Sequence, residues 1–167
     1  MTHSVLLIPD FALQSLRRRE PQTVGKWVAI SHGDGRKACV LQFSPEARGI
    51  EVGLAVTLAM ARCPGLKILP RDLDAENEST RILVAVALTL SPRVEISGDG
   101  YCTIDLQGAD AKHTETRMHA CIGELTAAGF SARAGAGEST LLAYYAAQRT
   151  ERVLVIRDTD DFLAQLP

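Results

Sequence analysis

Asp10 follows Ile8-Pro9, Asp99 stands between Gly98 and Gly100, and Asp105 lies between Ile104 and Leu106. These three carboxylates sit in otherwise apolar or glycine-rich segments, and hard dications such as Mg²⁺ take oxygen ligands of this kind. Each also has a plainer reading. Asp10 is placed to cap the helix after it, and Asp99 has the chemistry of a turn residue. Asp105 alternates onto the polar side of its strand, where solvent or a surface ion pair would satisfy it. The Arg17-Arg18-Arg19 run presents adjacent cations. Such a run near a helix end is either a contact for DNA phosphates or a solvated face favoured by the helix dipole.

Sulfur and imidazole carry less. Cys39, Cys63, Cys102 and Cys121 form no CxxC pair and mostly have apolar neighbours, so they read as small buried hydrophobes rather than zinc ligands or a disulfide. The four histidines are dispersed, and His113 and His119 share no helical face. With 167 residues, 46% hydrophobic and 23% charged, the chain is long enough to bury a real core. A net charge of −2 gives no overall footprint for nucleic acid. No apolar run is long enough to span a bilayer and the start, MTHSVLLIPD, is not a signal peptide, so no membrane partner and a cytoplasmic location are expected.

The elements that must hold these residues follow from periodicity. Val5–Ile8 is a continuous apolar run and reads as a buried strand, ended by Pro9-Asp10. Residues 11–19 have helical spacing. Residues 27–30 and 38–42 read as a strand pair around Gly33-Asp34-Gly35. Helices broken at Gly49 and Gly53 are expected over 44–62, then a brief strand over 66–69. A helix capped by Asp74 carries Ile82, Leu83, Val86 and Leu90 on one face. Residues 93–96 and 102–106 make a hairpin around Gly98-Asp99-Gly100. A helix through Met118, Ile122 and Leu125 follows, then a strand from Phe130, a helix through Leu141 and Tyr145, a strand over 153–156 and a last helix to Leu166. This order predicts an α+β fold: a ferredoxin-like antiparallel sheet backed by helices, made from residues 1–21 and 72–167, with a small α/β insertion at 22–71.

The stretch ARGIEVGLAVTLAMARCPGLKILP, then a long helix and SPRVEISGDGYCTIDL, resembles the fingers-to-palm passage of Y-family (DinB/UmuC-like) translesion DNA polymerases. LTAAGFSARAGAGESTLLAYYAA resembles the next palm strand and helix of that family. The resemblance covers nearly the whole chain and ends near Phe162, where the family's thumb would begin; thumb and little finger are therefore expected to be absent from this chain. It implies a palm at 1–21 and 72–167 and fingers at 22–71.

The family holds two Mg²⁺ ions with an aspartate pair flanking one residue on the first strand and an Asp-Glu in a Ser-x-Asp-Glu hairpin. Here Ile8-Pro9-Asp10 offers one carboxylate. The hairpin aligns either as Ser97-Gly98-Asp99-Gly100, keeping the aspartate, or on Ile104-Asp105-Leu106, with Gly100 and Tyr101 at the ligand positions. Both registers lose the glutamate. The family's triphosphate-binding tyrosine and arginine match Pro45 and Arg48, and its lysine matches Glu138. Arg48 keeps a possible phosphate contact, or pairs with Glu46 or Glu51.

This pattern is most similar to the catalytically inactive ImuB-like members. The resemblance implies a non-catalytic accessory scaffold in damage-induced (SOS) mutagenic translesion synthesis. Its implied partners are a sliding clamp, an error-prone replicative-type DNA polymerase subunit, a RecA-like accessory protein and DNA. No cofactor is implied. The alternatives are an active translesion polymerase fragment, which would need Mg²⁺ and convergence of Asp10, Asp99 and Asp105, or a nucleotide- or phosphate-binding module built on Arg48.

Overall fold

The computed structural model describes residues 2–107 and 111–165, with the backbone alone for residues 111 and 112. Its contacts divide the chain into two compact units, Met1–Pro9 with Ser79–Pro167, and Asp10–Glu78.

The first unit is built on a five-stranded sheet of β1 (His3–Leu7), β5 (Val94–Gly98), β6 (Tyr101–Asp105), β7 (Arg133–Gly137) and β8 (Val153–Val155). Its order is β5-β6-β1-β7-β8. The first four strands are antiparallel neighbours, the ferredoxin-like arrangement expected of them. The sheet is not wholly antiparallel, however, because β8 adds parallel to β7. The cause is a helical crossover: α5 (Thr140–Arg149) joins those two strands, and parallel neighbours need such a connection. As expected, β1 lies beside the hairpin, with Leu7 opposite Tyr101 and His3 opposite Asp105.

Helices cover both faces of this sheet. Val5 and Leu7 form a cluster with Ala143 and Ala147 of α5, flanked by Tyr101 and Tyr144. Strand alternation turns Leu6, Cys102 and Ile104 to the other face. There Cys121 of α4 (Ala111–Ala127) lies close enough to bear on the Cys102 thiol. The second part of α3 (Leu73–Leu88) joins α4 there, as Thr89 just beyond it meets Cys121 at 3.5 Å. The expected continuation of α3 to Leu90 stops at Leu88. The last helix, α6, spans Thr159–Ala164, and Leu166 lies outside the described residues.

The second unit is a three-stranded sheet, β3 (Cys39–Phe43), β2 (Val28–His32) and β4 (Lys67–Pro70), in the order β3-β2-β4. One face carries Val28, Ile30, Leu41 and Leu69 against Ala12, Leu13 and Leu16 of α1 (Phe11–Arg19). The opposite face carries Ala29 and Val40 against Ala59 and Cys63, at the base of α2 (Val56–Arg62). Helix α1 thus builds its core with the 22–78 segment, whereas residues 1–21 were expected to belong with 72–167. Residues 44–55 are not helical as expected. Gly53 N–H donates to Val40 C=O and Val40 N–H to Leu54 C=O, so backbone pairing to β3 holds this segment extended and turned. The cap of α3 is Asp72 rather than Asp74, its Oδ1 accepting from Ala75 N–H at 2.9 Å.

Helix α5 depends on glycine and alanine. Ala143, Ala146 and Ala147 are fully buried. A Cβ on Gly135 of β7 would stand 2.1 Å from the Ala143 carbonyl oxygen and 2.3 Å from the Ala147 nitrogen. Both neighbours are backbone and cannot swing away, so Gly135→Ala must push α5 off the sheet. The expected cost is about 3 kcal/mol, at the upper end for overpacking. Urea denaturation compared with Gly123→Ala, where an added Cβ meets open space, is the check.

Candidate functional site

Asp10 is the only described non-glycine residue with positive φ, at φ 46° and ψ 46°. It holds the N-cap position of α1 with its side chain exposed and making no capping hydrogen bond. The orphan N–H of Leu13 is satisfied instead by Gln42 Oε1 from β3, at 3.0 Å. The expected capping role therefore passes to Gln42, because the left-handed backbone of Asp10 turns its carboxylate away from the helix start.

The hairpin aspartates are held apart. Asp99 is exposed in the turn between β5 and β6, beside Gly100 at φ 79°. Asp105 ends β6, where its Oδ2 lies 3.1 Å from Arg93 Nε and its Oδ1 accepts from Gln107 N–H at 2.8 Å. Tyr101 and Asp105 are roughly 13 Å apart along the strand. Three carboxylates therefore do not converge, wherever Asp10 points. Among the described residues no group of three His, Cys, Asp or Glu side chains is gathered to hold a metal ion.

At the turn end of the sheet, Ile8 N–H donates to Gly100 C=O at 2.8 Å and Leu7 sits opposite Tyr101. Ile8 is 1% exposed. Tyr101 lays its ring against Tyr144 of α5, centroids 4.9 Å apart, over Gly98, where a Cβ would stand 2.4 Å from the Tyr101 ring. Glu95, Ser97, Thr103, Thr140 and Leu141 complete a hollow of about 440 Å³ around these rings. The Tyr101–Tyr144 pair was missed in the sequence, which gives no sign that residues 43 positions apart share a face. Glu138 is exposed directly after β7, with its Oε2 3.4 Å from the Thr159 hydroxyl.

The arginine run is paired within its own unit. Arg17 lies 3.4 Å from Glu46, Arg18 2.9 Å from Glu78, and Arg19 2.9 Å from Asp72 and 3.6 Å from Glu78. The structure thus gives Arg17, Arg18 and Arg19 each a carboxylate partner. Arg48 is different: neither Glu46 nor Glu51 pairs with it, since Glu46 is taken by Arg17 and Glu51 lies 3.8 Å from Arg62. Arg48 is exposed and lines a hollow with Trp27, Glu46, Arg62, Cys63 and Pro64.

The cysteines are free thiols. Burial pushes Cys102 up to about 12 and also raises Cys121, so neither supplies a thiolate near neutral pH.

The Arg18 hydrogen bond, then its charge and that of Arg19, hold the Glu78 carboxyl below its usual range. The self-backbone hydrogen bond of Glu46, with Arg17 adding to it, lowers that carboxyl too. Carboxylates held down in this way stabilise the fold above the ordinary carboxylate range, and the effect is lost as pH falls through the lowered pKa. Arg18→Ala should raise the Glu78 midpoint towards its ordinary value and leave Glu46 unmoved. Carboxyl-detected NMR titration reads both groups in one experiment.

The sequence profile of the impB/mucB/samB family matches residues 6–148. No curated protein matches the chain at a significant level. Among solved structures, the post-insertion binary complex of Dbh DNA polymerase superposes with a TM-score of 0.87 at 21% identity, over 99% of this chain and 52% of that one. A DinB family error-prone DNA polymerase from Sulfolobus solfataricus gives 0.80 at 21% identity, over 99% of this chain and 50% of that one. DinB from the same organism gives 0.78 at 20% identity, over 98% and 51%. The chain spans about half the length of these solved relatives, and no described helix is long and apolar enough to cross a membrane. With the family profile covering most of its length, the chain belongs to the impB/mucB/samB family and has the palm-and-fingers fold of Y-family DNA polymerases.

Proposed function

We propose that this chain is a non-catalytic, ImuB-like Y-family homologue acting as an accessory scaffold in damage-induced mutagenic translesion synthesis. The Met1–Pro9/Ser79–Pro167 unit would serve as palm and the Asp10–Glu78 unit as fingers. One observation carries the reading. Where the first strand meets the hairpin, the register sets Ile8 against Gly100 and Leu7 against Tyr101. If Asp10 is the second member of the family's first-strand pair, Ile8 stands at the first. Its hairpin neighbours are then Gly100 and Tyr101, which favours the alignment that leaves both hairpin ligand positions without carboxylates. Two-metal phosphoryl transfer draws its transition-state stabilisation from ions held by such groups. The residues present do not fit that site.

The nucleotide side points the same way. Pro45 replaces the tyrosine and Glu138 the lysine of the family pattern. A carboxylate near a triphosphate costs about 1–4 kcal/mol per close charge pair. A scaffold of this kind would act in the cytoplasm on a sliding clamp, an error-prone replicative-type polymerase subunit and a RecA-like protein. DNA remains a partner because the solved neighbours are described as insertion complexes of a DNA polymerase. Phosphate binding without catalysis is a second reading, favoured by one observation: Arg48 has no carboxylate within 4 Å among the described residues.

Primer extension with the full natural gene product should give no template-directed incorporation, while pull-downs with clamp and polymerase subunits should retain it. Incorporation abolished by Asp10→Ala or Asp99→Ala would sink the scaffold reading. Mn²⁺ relaxation enhancement should likewise show no micromolar site. Calorimetry with a nucleoside triphosphate, lost in Arg48→Gln, would favour the phosphate-binding reading.

A further inference from the structure

We infer that the hollow beside Trp27 in the Asp10–Glu78 unit docks an acidic peptide segment that inserts one apolar side chain. The inference is independent of whether the palm is catalytic. Trp27 is the single tryptophan of the chain, and it is 47% exposed although a large aromatic gains most from burial. Its ring lies over Gly65 and walls a hollow of about 490 Å³ with Glu46, Arg48, Arg62, Cys63 and Pro64. The site is firmly built. Ser44 Oγ accepts from Val28 N–H at 3.0 Å and donates to Lys26 C=O at 2.9 Å, fastening the turn before Arg48 to the start of β2. Lys67 N–H donates to Trp27 C=O at 2.8 Å, fixing the indole's backbone from the other side.

Charge decides the ligand. The indole, Pro64 and the buried Cys63 give the hollow an apolar floor. Around it, Arg48 has no carboxylate partner among the described residues, and Arg62 has only Glu51 at 3.8 Å. The one acid on the wall, Glu46, is already engaged by Arg17. An apolar pocket with one unpaired and one loosely paired arginine at its rim complements a peptide whose carboxylates flank one leucine, methionine or phenylalanine. A nucleic-acid strand fits less well. Such strands need successive aromatic faces along a track of cations, and all three tyrosines lie in the other unit.

Because Trp27 is the only indole, its fluorescence reports the site directly. The chain would be titrated with short peptides in which glutamates flank a central leucine, methionine or phenylalanine. Matched peptides with glutamine for glutamate, an oligothymidylate and a nucleoside triphosphate would run in parallel. The expected result is a saturable blue shift with at least one acidic peptide, weakening as salt rises. Arg48→Gln and Arg62→Gln should each lower affinity by about fivefold, as exposed charge pairs do, with unchanged circular dichroism. The inference is overturned if no acidic peptide gives a saturable shift, or if the glutamine peptides bind equally. Tighter binding of the oligothymidylate or triphosphate, lost in Arg48→Gln, would equally overturn it and make this a phosphate site. Primer extension decides the scaffold reading separately, so the two can fail independently.

Discussion

Strand β1 is hydrogen-bonded along both edges and covered on both faces, and this double burial constrains everything around it. Val5 and Leu6 are fully buried, and Leu7 and Ile8 nearly so. An uncompensated charge anywhere along such a strand would be desolvated at a cost of several kcal/mol. Carboxylates can therefore stand only at its rim, where a metal ion or solvent offsets the desolvation. Ile8 occupies that rim, and the apolar core simply continues to the edge of the sheet. The same continuity brings the hairpin close, through the bond from Ile8 N–H to the Gly100 carbonyl.

Much of this fold could be read from residue types because burial leaves a plain mark. Val5–Ile8 is apolar without interruption because both faces are covered, and Cys102, Ile104 and Leu106 alternate because β6 buries chiefly one. The segment over 44–55 is not helical, although Gly49 and Gly53 read in the sequence as breaks between helices. In fact they take positive φ inside a loop fastened to Val40. Likewise Asp72 and Asp74 both have capping chemistry, and only the backbone direction decides between them. Asp10 shows the same limit: its type fits a cap, but its φ of 46° prevents its use.

The candidate site was legible in the sequence as single residues, whereas the contacts around them were not. Sequence order says nothing of Tyr101 meeting Tyr144, since the contact needs both the β1–β6 register and the seating of α5. The arginine run shows how local charge misleads. Arg17, Arg18 and Arg19 look like a phosphate-binding patch until the fold brings Glu46, Asp72 and Glu78 to them. Arg48 has Glu46 and Glu51 nearby in sequence, yet those carboxylates are taken by Arg17 and Arg62. Among the described residues Arg48 thus lacks the carboxylate partner that proximity in sequence suggests.

The contacts at this rim are physically linked. Carboxylates gathered to hold dications repel one another by about 1–4 kcal/mol per close pair when no ion is bound. Two or more such carboxylates without an ion would carry this repulsion at the point where β1 and the hairpin are joined. Ile8, Gly100 and Tyr101, which meet at that point, bring no charge to it. Ile8 extends the core, Gly100 leaves its carbonyl free to accept from Ile8, and Tyr101 spreads over Gly98 onto Tyr144. Asp99 is exposed in the turn, and Asp105 is paired with Arg93 at the far end of β6. At this junction β1 and the hairpin are joined by packing and hydrogen bonding among uncharged residues.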